Sequence, residues 1–321
     1  MSADSAYEFD WPVPESGYQW CDALSKQEEV LGRWLVPTYS LETRSPWPGR
    51  APRYQALEHR GLFRTFAEMQ ATEEGILAFT KQYGWLGVEE RVFLDGQKRP
   101  DESIRGERFE RWVRELKDMQ ETLTIWDDIQ AGHVDAYRHW QIVRGENRDG
   151  YTGQVREKSR VIFQQHGRHM DFDPSMTYKQ TASAPLFKVQ ETINEHLETS
   201  TVNRLIYAPQ DDRLLLRIIP KSLLGALWLQ LAKGIEGDIE YRQCHECGKW
   251  FEISLEAYRK SRLFCSNACR SKAYRTRQAS AQRLYAGGMP IEQIAESLDT
   301  DPQTAKRWAT LATARPKTSK E

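Results

Sequence analysis

The sequence predicts an α+β protein in which helices dominate, with a helical body, a small antiparallel sheet and a distinct C-terminal module. Apolar residues recur every three or four positions over long stretches of the body, and short apolar runs with turn residues follow them. The last quarter differs, because four of the chain's five cysteines lie between residues 244 and 269. A length of 321 residues suffices for two or three compact units.

The N-terminal part contains a strap and the start of the body. Residues 1–55 are rich in Trp, Pro and Gly, and we interpret them as a strap packed on the body, with one helical stretch near residues 22–34. The body spans residues 56–238. Its two main helices are predicted after the acidic start at residues 72–74 and over residues 105–132, where apolar side chains keep helical spacing.

The second half of the body changes pattern. Short apolar runs at residues 161–163, 205–207 and 214–218 predict strands, and the last two form a hairpin around residues 209–212. An apolar helix follows, with Pro220 ahead of its first turn and Gly237 past its end. We expect this helix to be buried against the sheet.

The cysteines form two close pairs, Cys244 with Cys247 and Cys265 with Cys269. The N-terminus lacks the basic and then apolar pattern of a signal peptide, and no run of eighteen apolar residues exists, so we expect a cytoplasmic protein without a membrane span. Disulfides are disfavoured in that reducing compartment, and clustered thiols there more often hold a metal.

Two pairs of thiolates match the tetrahedral four-sulfur shell that structural zinc prefers. Gly248 suits the left-handed position of a zinc knuckle between two short strands, and Ser266 is placed to cap a helix whose first turn contains Cys269. We therefore predict one structural Zn²⁺ per chain in a treble-clef-like or ribbon-like finger over residues 239–278. Four thiolates leave no open position for catalysis, so we expect no enzymatic role.

The C-terminal quarter is basic and the rest of the chain is acidic. Residues 241–321 contain fifteen Lys or Arg against eight Asp or Glu, a net charge of +7, which leaves −8 for residues 1–240. On the helix after Cys269, one small uncharged face is predicted to lie against the zinc core; it comprises Cys269, Ala273, Thr276, Ser280 and Leu284. Basic residues flank that face and could contact phosphates, namely Arg270 and Arg277 on one side and Lys272, Arg275 and Arg283 on the other. Tyr274 is either an apolar anchor or a stacking residue.

Residues 279–312 predict a helix-turn-helix. One helix ends at Gly287-Gly288, a second covers residues 290–298, and Asp301 caps a third that starts at Pro302. The predicted buried set is Leu284, Ile291, Ile294, Ala295, Leu298, Thr304 or Ala305, and Trp308. The side chains of Gln303, Lys306 and Arg307 would then project into a major groove of double-stranded DNA. The alternative is a small helical bundle that contacts protein. Residues 313–321 are expected to be a disordered tail.

The segment "CHECGKWF…RLFCSNACRSKAYRTR" resembles the C-terminal zinc finger of bacterial CGNR-type proteins, which carry an ABATE domain before the finger and are regarded as transcription regulators. The resemblance rests on the four cysteines, the Trp250-Phe251 pair and the basic run. The family's Cys-Gly-Asn-Arg reads Cys269-Arg270-Ser271-Lys272 here. The segment "LYAGGMPIEQIAESLDTDPQTAKRW", residues 284–308, is similar to the helix-turn-helix of resolvases and sigma-like regulators. Together these resemblances imply a bacterial DNA-binding regulator.

Three functions follow from these observations. The leading hypothesis is a zinc-stabilised, sequence-specific regulator that binds double-stranded DNA in the nucleoid, and a homodimer and a small-molecule or protein partner of the body stay open. In the enzyme alternative the body acts on nucleic acid or a small molecule, and the zinc finger and helix-turn-helix only target it. Its candidate metal ligands are His166, His169, Asp171 and Asp173, a set that also fits a polar loop. In the third, an adaptor binds a protein partner through Trp11, Trp20 and Trp47 of the strap.

Overall fold

The chain divides into two units, Met1–Asp238 and Ile239–Glu321. The structure is a computed structural model that describes residues 9–24, 30–38, 51–92, 104–137, 140–148, 155–163, 177–179, 184–209, 212–237, 239–253 and 262–310. None of the helices within these ranges is both long enough and apolar enough to cross a lipid bilayer.

The N-terminal residues of the first unit form strands. They are β1 Asp10–Pro12, β2 Tyr18–Leu24, β3 Val30–Pro37 and β4 Arg53–Gln55, followed by β5 Glu90–Val92 and β6 Ile104–Arg108. The first pairs with the fourth, and the other four form an antiparallel sheet in the order β2-β3-β6-β5. The helix predicted near residues 22–34 is wrong where the structure describes it. The aromatic Trp34 and the β-branched Val36 favour a strand, and the run Trp34-Leu35-Val36 is buried in this sheet.

The described part of the first unit also contains α-helices. They are α1 Leu62–Ala67, α2 Glu73–Tyr83, α3 Phe109–Gln130, α4 Ala184–Ser200 and α5 Leu223–Glu236. Two of them have N-cap side chains. The Thr72 hydroxyl at the start of α2 accepts a hydrogen bond from the Gly75 N–H, and the Ser222 hydroxyl at the start of α5 accepts one from the Gly225 N–H. A side chain at Gly225 would collide with the backbone at Ser200, so this glycine lets α5 approach the end of α4.

The helix predicted over residues 105–132 begins later, at Phe109, because the preceding residues pair in β6. Glu107 of β6 is fully buried, and its carboxylate accepts hydrogen bonds from the backbone N–H groups of Leu86, Gly87 and Val88 at 3.0, 2.6 and 2.9 Å. These partners lie about twenty residues earlier in the chain, so helical periodicity carried no sign of them.

Two further sheets belong to the first unit. Strands β7 Trp140–Arg148, β8 Val155–Phe163 and β9 Thr177–Lys179 form an antiparallel sheet in the order β8-β7-β9. Strands β10 Thr201–Ala208 and β11 Arg213–Pro220 form the hairpin that the sequence predicts. Helix α5 follows directly, and most of its residues are buried.

The second unit is smaller. Strands β12 Glu240–Gln243 and β13 Trp250–Ile253 form an antiparallel hairpin. Three helices follow, α6 Asn267–Ala286, α7 Ile291–Ser297 and α8 Pro302–Thr310. Helix α6 is continuous across residues 278 and 279, where the sequence analysis separates the finger from the last module, so one helix is common to both parts.

Candidate metal centre and basic surface

The first cysteine pair lies in the turn between β12 and β13. The Cys244 N–H donates to the Lys249 carbonyl at 2.9 Å, and the Gly248 N–H donates to the Cys244 carbonyl at 2.8 Å. Gly248 has a φ of +69°, the left-handed conformation that glycine adopts without strain. This tight turn presents Cys244 and Cys247 from one side of the hairpin.

The second pair lies where α6 begins. The Ser266 hydroxyl accepts a hydrogen bond from the Cys269 N–H at 3.2 Å, so Cys269 stands in the first turn of a capped helix. Cys265 immediately precedes the cap. A helix N-terminus carries partial positive charge, which favours thiolates at this position.

The structure brings the four sulfur atoms together, all within 4.8 Å of one another. Cys247 Sγ lies 3.6 Å from Cys265 Sγ, and Cys265 Sγ lies 3.5 Å from Cys269 Sγ. A Zn–S bond of about 2.3 Å puts the sulfurs of a tetrahedral site about 3.8 Å apart. The four cysteines could therefore hold one metal ion without rearrangement of the backbone.

The thiols do not ionise alike. Burial raises the pKa of Cys244, but the backbone N–H groups of Cys265, Cys247 and Glu246 outweigh burial and lower that pKa to about 6. Burial and the neighbouring sulfurs raise the pKa of Cys265 to about 12, and burial raises the pKa of Cys247. A divalent cation among the sulfurs would stabilise all four thiolates together.

Arg262 links the segment that contains Cys265 to strand β13, a role that was not predicted from the sequence. Its Nε donates to the Phe264 carbonyl at 2.8 Å, its Nη2 donates to the Cys265 carbonyl, and its guanidinium lies 5.0 Å from the centroid of the Phe251 ring. In the sequence Arg262 is one basic residue of a basic run. Only its position three residues before Cys265 could have indicated the contact of Arg262 with the Cys265 carbonyl.

The last three helices share a small core. Ala281, Ile294, Ala295, Ala305 and Trp308 are buried, and Leu284, Met289, Ile291 and Leu298 pack against them. Ala305 is the buried member of the predicted Thr304 or Ala305 pair. Asp301 caps α8, since its carboxylate accepts the Thr304 N–H at 2.8 Å.

The face predicted for the helix after Cys269 is partly wrong. Thr276 is exposed, and Ala281 is buried instead. The reason is that the C-terminal half of α6 packs on the later helices, and Ala281 belongs to the core that they share. Tyr274 is 43% exposed and contacts Trp308: its hydroxyl accepts a hydrogen bond from Trp308 Nε1 at 3.1 Å, and the two rings meet edge to face at 5.5 Å.

All eight residues predicted to contact DNA are exposed: Arg270, Lys272, Arg275, Arg277, Arg283, Gln303, Lys306 and Arg307. Some have local partners. Lys272 forms an ion pair with Glu246 at 3.0 Å, which raises the pKa of Lys272, while Arg270 donates to Asn267 and Arg283 to Ser280. The side chains of Arg275 and Arg277 form no hydrogen bond or ion pair with any residue that the structure describes.

The residues of the two alternative functions are only partly placed. His166, His169, Asp171 and Asp173 lie outside the described residues, as does Trp47. The indoles of the other two strap tryptophans are hydrogen-bonded inside the first unit, Trp11 to the Trp85 carbonyl and Trp20 to the Glu73 carbonyl.

Comparison of the chain with known protein families, with curated proteins and with solved structures finds no match. The resemblance to CGNR-type proteins therefore rests on the finger residues given above.

Proposed function

We propose that the protein is a zinc-stabilised transcription regulator that binds double-stranded DNA at specific sequences. One observation carries the proposal. A single helix, α6, begins at the four-cysteine site and ends in the small core of α7 and α8, while the basic side chains along it are exposed. Cytosolic location, a bacterial source and kinship with CGNR-type regulators belong to the same proposal.

Zinc is the metal that these ligands favour. Four thiolates at tetrahedral spacing make a closed structural shell, and such sites contribute folding energy rather than catalysis. In this proposal the metal makes the hairpin and the start of α6 rigid, and the protein has no enzymatic role.

The last two helices are proposed as a helix-turn-helix. Helices α7 and α8 are short, joined by a turn at residues 298–301 and packed on α6 through Ala295, Ala305 and Trp308. Gln303, Lys306 and Arg307 lie on the exposed side of α8, opposite its buried residues. That placement suits a recognition helix in a major groove.

Charge supports nucleic acid as the partner. The net charge of +7 over residues 241–321 matches a polyanion, and Arg275 and Arg277 are held by no described residue. Each Lys or Arg that neutralises a phosphate releases counterions, so affinity should fall steeply with salt.

The test is selection of random-sequence double-stranded DNA on the zinc-loaded full-length protein. We expect one recurring motif, and two inverted half-sites would indicate a dimer. The variant Arg275→Ala/Arg277→Ala/Lys306→Ala should bind the selected motif more weakly, with a salt slope reduced by about one for each lost phosphate contact.

The matched control is Lys81→Ala/Arg114→Ala/Lys233→Ala, which removes the same charge from exposed positions of the first unit. It should retain the affinity of the unmodified chain. If both triple variants lose the same DNA affinity, net charge alone explains the loss. If the zinc-loaded protein enriches no motif, sequence-specific binding is overturned.

A further inference from the structure

A second cluster of metal-ligating side chains lies in the first unit, away in sequence from the cysteines. Glu115 and Asp118 stand one turn apart on α3, and His196 lies on α4, which packs against α3. One nitrogen of the imidazole and one oxygen from each carboxylate lie within 4.8 Å of one another. Neither the four-cysteine site nor the proposed DNA surface uses these residues.

Glu115 is the member that needs explanation. Its side chain is 2% exposed, and although Oε1 pairs with Arg111 Nε at 2.6 Å, Oε2 is buried and accepts no hydrogen bond in the described structure. A buried carboxylate oxygen without a donor is costly unless a cation compensates it. His196 Nδ1 lies 3.4 Å from this oxygen.

His196 is held in place against that oxygen. Its ring stacks on the buried Trp228 indole, with centroids 4.0 Å apart and planes 10° from parallel, and its side chain is 15% exposed. Its Nε2 lies 3.5 Å from Asp118 Oδ2. Neither contact meets the geometry of a hydrogen bond, so the imidazole is oriented by stacking and not by its carboxylate neighbours.

The spacing matches a metal site. With metal–nitrogen and metal–oxygen bonds of about 2.1 Å, two ligands of a tetrahedral ion lie about 3.4 Å apart. One imidazole nitrogen binds a given ion, so either the 3.4 Å between Nδ1 and Glu115 Oε2 or the 3.5 Å between Nε2 and Asp118 Oδ2 is such a ligand pair. The third donor atom lies within 4.8 Å of the other two. Imidazole with two carboxylates suits zinc, manganese or ferrous iron better than magnesium or calcium, which prefer oxygen alone.

We propose that Glu115, Asp118 and His196 form a second metal site, which takes a divalent transition-metal ion with mixed nitrogen and oxygen ligands. The ion would link α3 to α4 and satisfy the buried Glu115 oxygen. Three protein ligands leave at least one position for water or a small anion, unlike the closed four-cysteine site. The site does not depend on whether the second unit binds DNA.

The experiment is a titration of Co²⁺ into the full-length protein whose cysteines already hold zinc. Cobalt on nitrogen and oxygen ligands gives visible d–d bands, whereas cobalt on cysteines adds intense thiolate charge-transfer absorption. We expect one further equivalent of Co²⁺ to bind, with d–d bands stronger than those of hydrated Co²⁺ and without charge transfer. The variants Asp118→Asn and His196→Ala should each weaken this binding at least tenfold.

Glu121→Gln is the matched control, since it removes an exposed carboxylate from the same helix. It should leave cobalt binding unchanged. Asp118 is partly exposed, so Asp118→Asn should fold even where His196→Ala does not, and circular dichroism reports folding for each variant. An absence of d–d bands, or an equal loss in Glu121→Gln, overturns the site and leaves His196 as an ion-pair partner of two carboxylates.

Discussion

The two units of the chain bury apolar residues on different scales. Among the described residues, the twelve largest side chains that are fully buried all belong to the first unit, with Trp112 and Trp228 at their head. The second unit has two small clusters, one around Cys244, Phe251 and Ile253 and one that includes Trp308. Each large buried side chain contributes about 1.5–3 kcal/mol, so burial alone can stabilise the first unit far better.

The units also differ in how they treat buried polar groups. In the first unit the backbone itself supplies the partners, as the three N–H groups around Glu107 show. In the second unit four thiols lie within 4.8 Å of one another, an arrangement that could hold a cation as their common partner. From this comparison we expect the second unit to depend on a metal cross-link where the first depends on its core.

Loss of one cysteine ligand should separate the units most clearly. Cys269→Ser leaves three thiolates, and we expect loss of the metal together with folding free energy on the order of 10 kcal/mol in the finger. The first unit should keep its unfolding temperature. Metal content by mass spectrometry and scanning calorimetry on the same sample measure both effects.

Cys21→Ser is the control for this variant, because Cys21 is the remaining cysteine and packs partly against Trp34, Val36 and Ile104 of the first unit. It should retain the metal. A Cys269→Ser protein that retains the metal and both calorimetric transitions would contradict the distinction between the two units.

The Glu107 carboxyl tests the first unit. Burial raises its pKa from 4.5 to about 7, more than the three backbone donors lower it. The folded unit therefore holds this proton where the unfolded chain releases it. The stability that Glu107 contributes is fully present below about pH 4.5 and is lost as pH rises towards about 7.

Glu107→Gln should flatten this pH dependence and destabilise the first unit by about 2 kcal/mol at low pH, since an amide cannot accept from three donors. The unfolding temperature of the first unit, recorded between pH 4.5 and 7.5, measures both changes. Glu90→Gln removes an exposed carboxylate that pairs with Arg108 and should keep the pH slope. Stability that rises over this range would show that the carboxyl is charged in the folded protein.

Local signals made much of the second unit predictable. The spacing of the cysteines, the caps at Ser266 and Asp301 and the turn at Gly248 each depend on residues a few positions apart, and the structure contains all of them. The helical period also identified Ala295 and Trp308 as buried. These features were predictable because caps and tight turns are specified by side chains close together in the sequence.

Contacts between distant segments were not predictable in the same way. Strand β3 pairs with β6 some seventy residues later, and the pattern of residues 22–34 gives no sign of that partner. His196 reaches Glu115 only because α4 packs on α3, and the sequence around His196 has no metal motif. The tertiary fold brings these residues together, and no single segment of the sequence indicates their contacts.

The smallest predicted effect concerns the link between α6 and α8. Tyr274→Phe removes the hydroxyl that accepts from Trp308 Nε1 and keeps the edge-to-face ring contact, so the second unit should lose about 1 kcal/mol. Chemical unfolding followed by tryptophan fluorescence measures this loss. Tyr285→Phe, at an exposed position of the same helix, should change stability by less than about 0.5 kcal/mol. Because phenylalanine retains a stacking face, unchanged stability with weakened DNA binding would make Tyr274 a DNA contact through its hydroxyl and not an anchor.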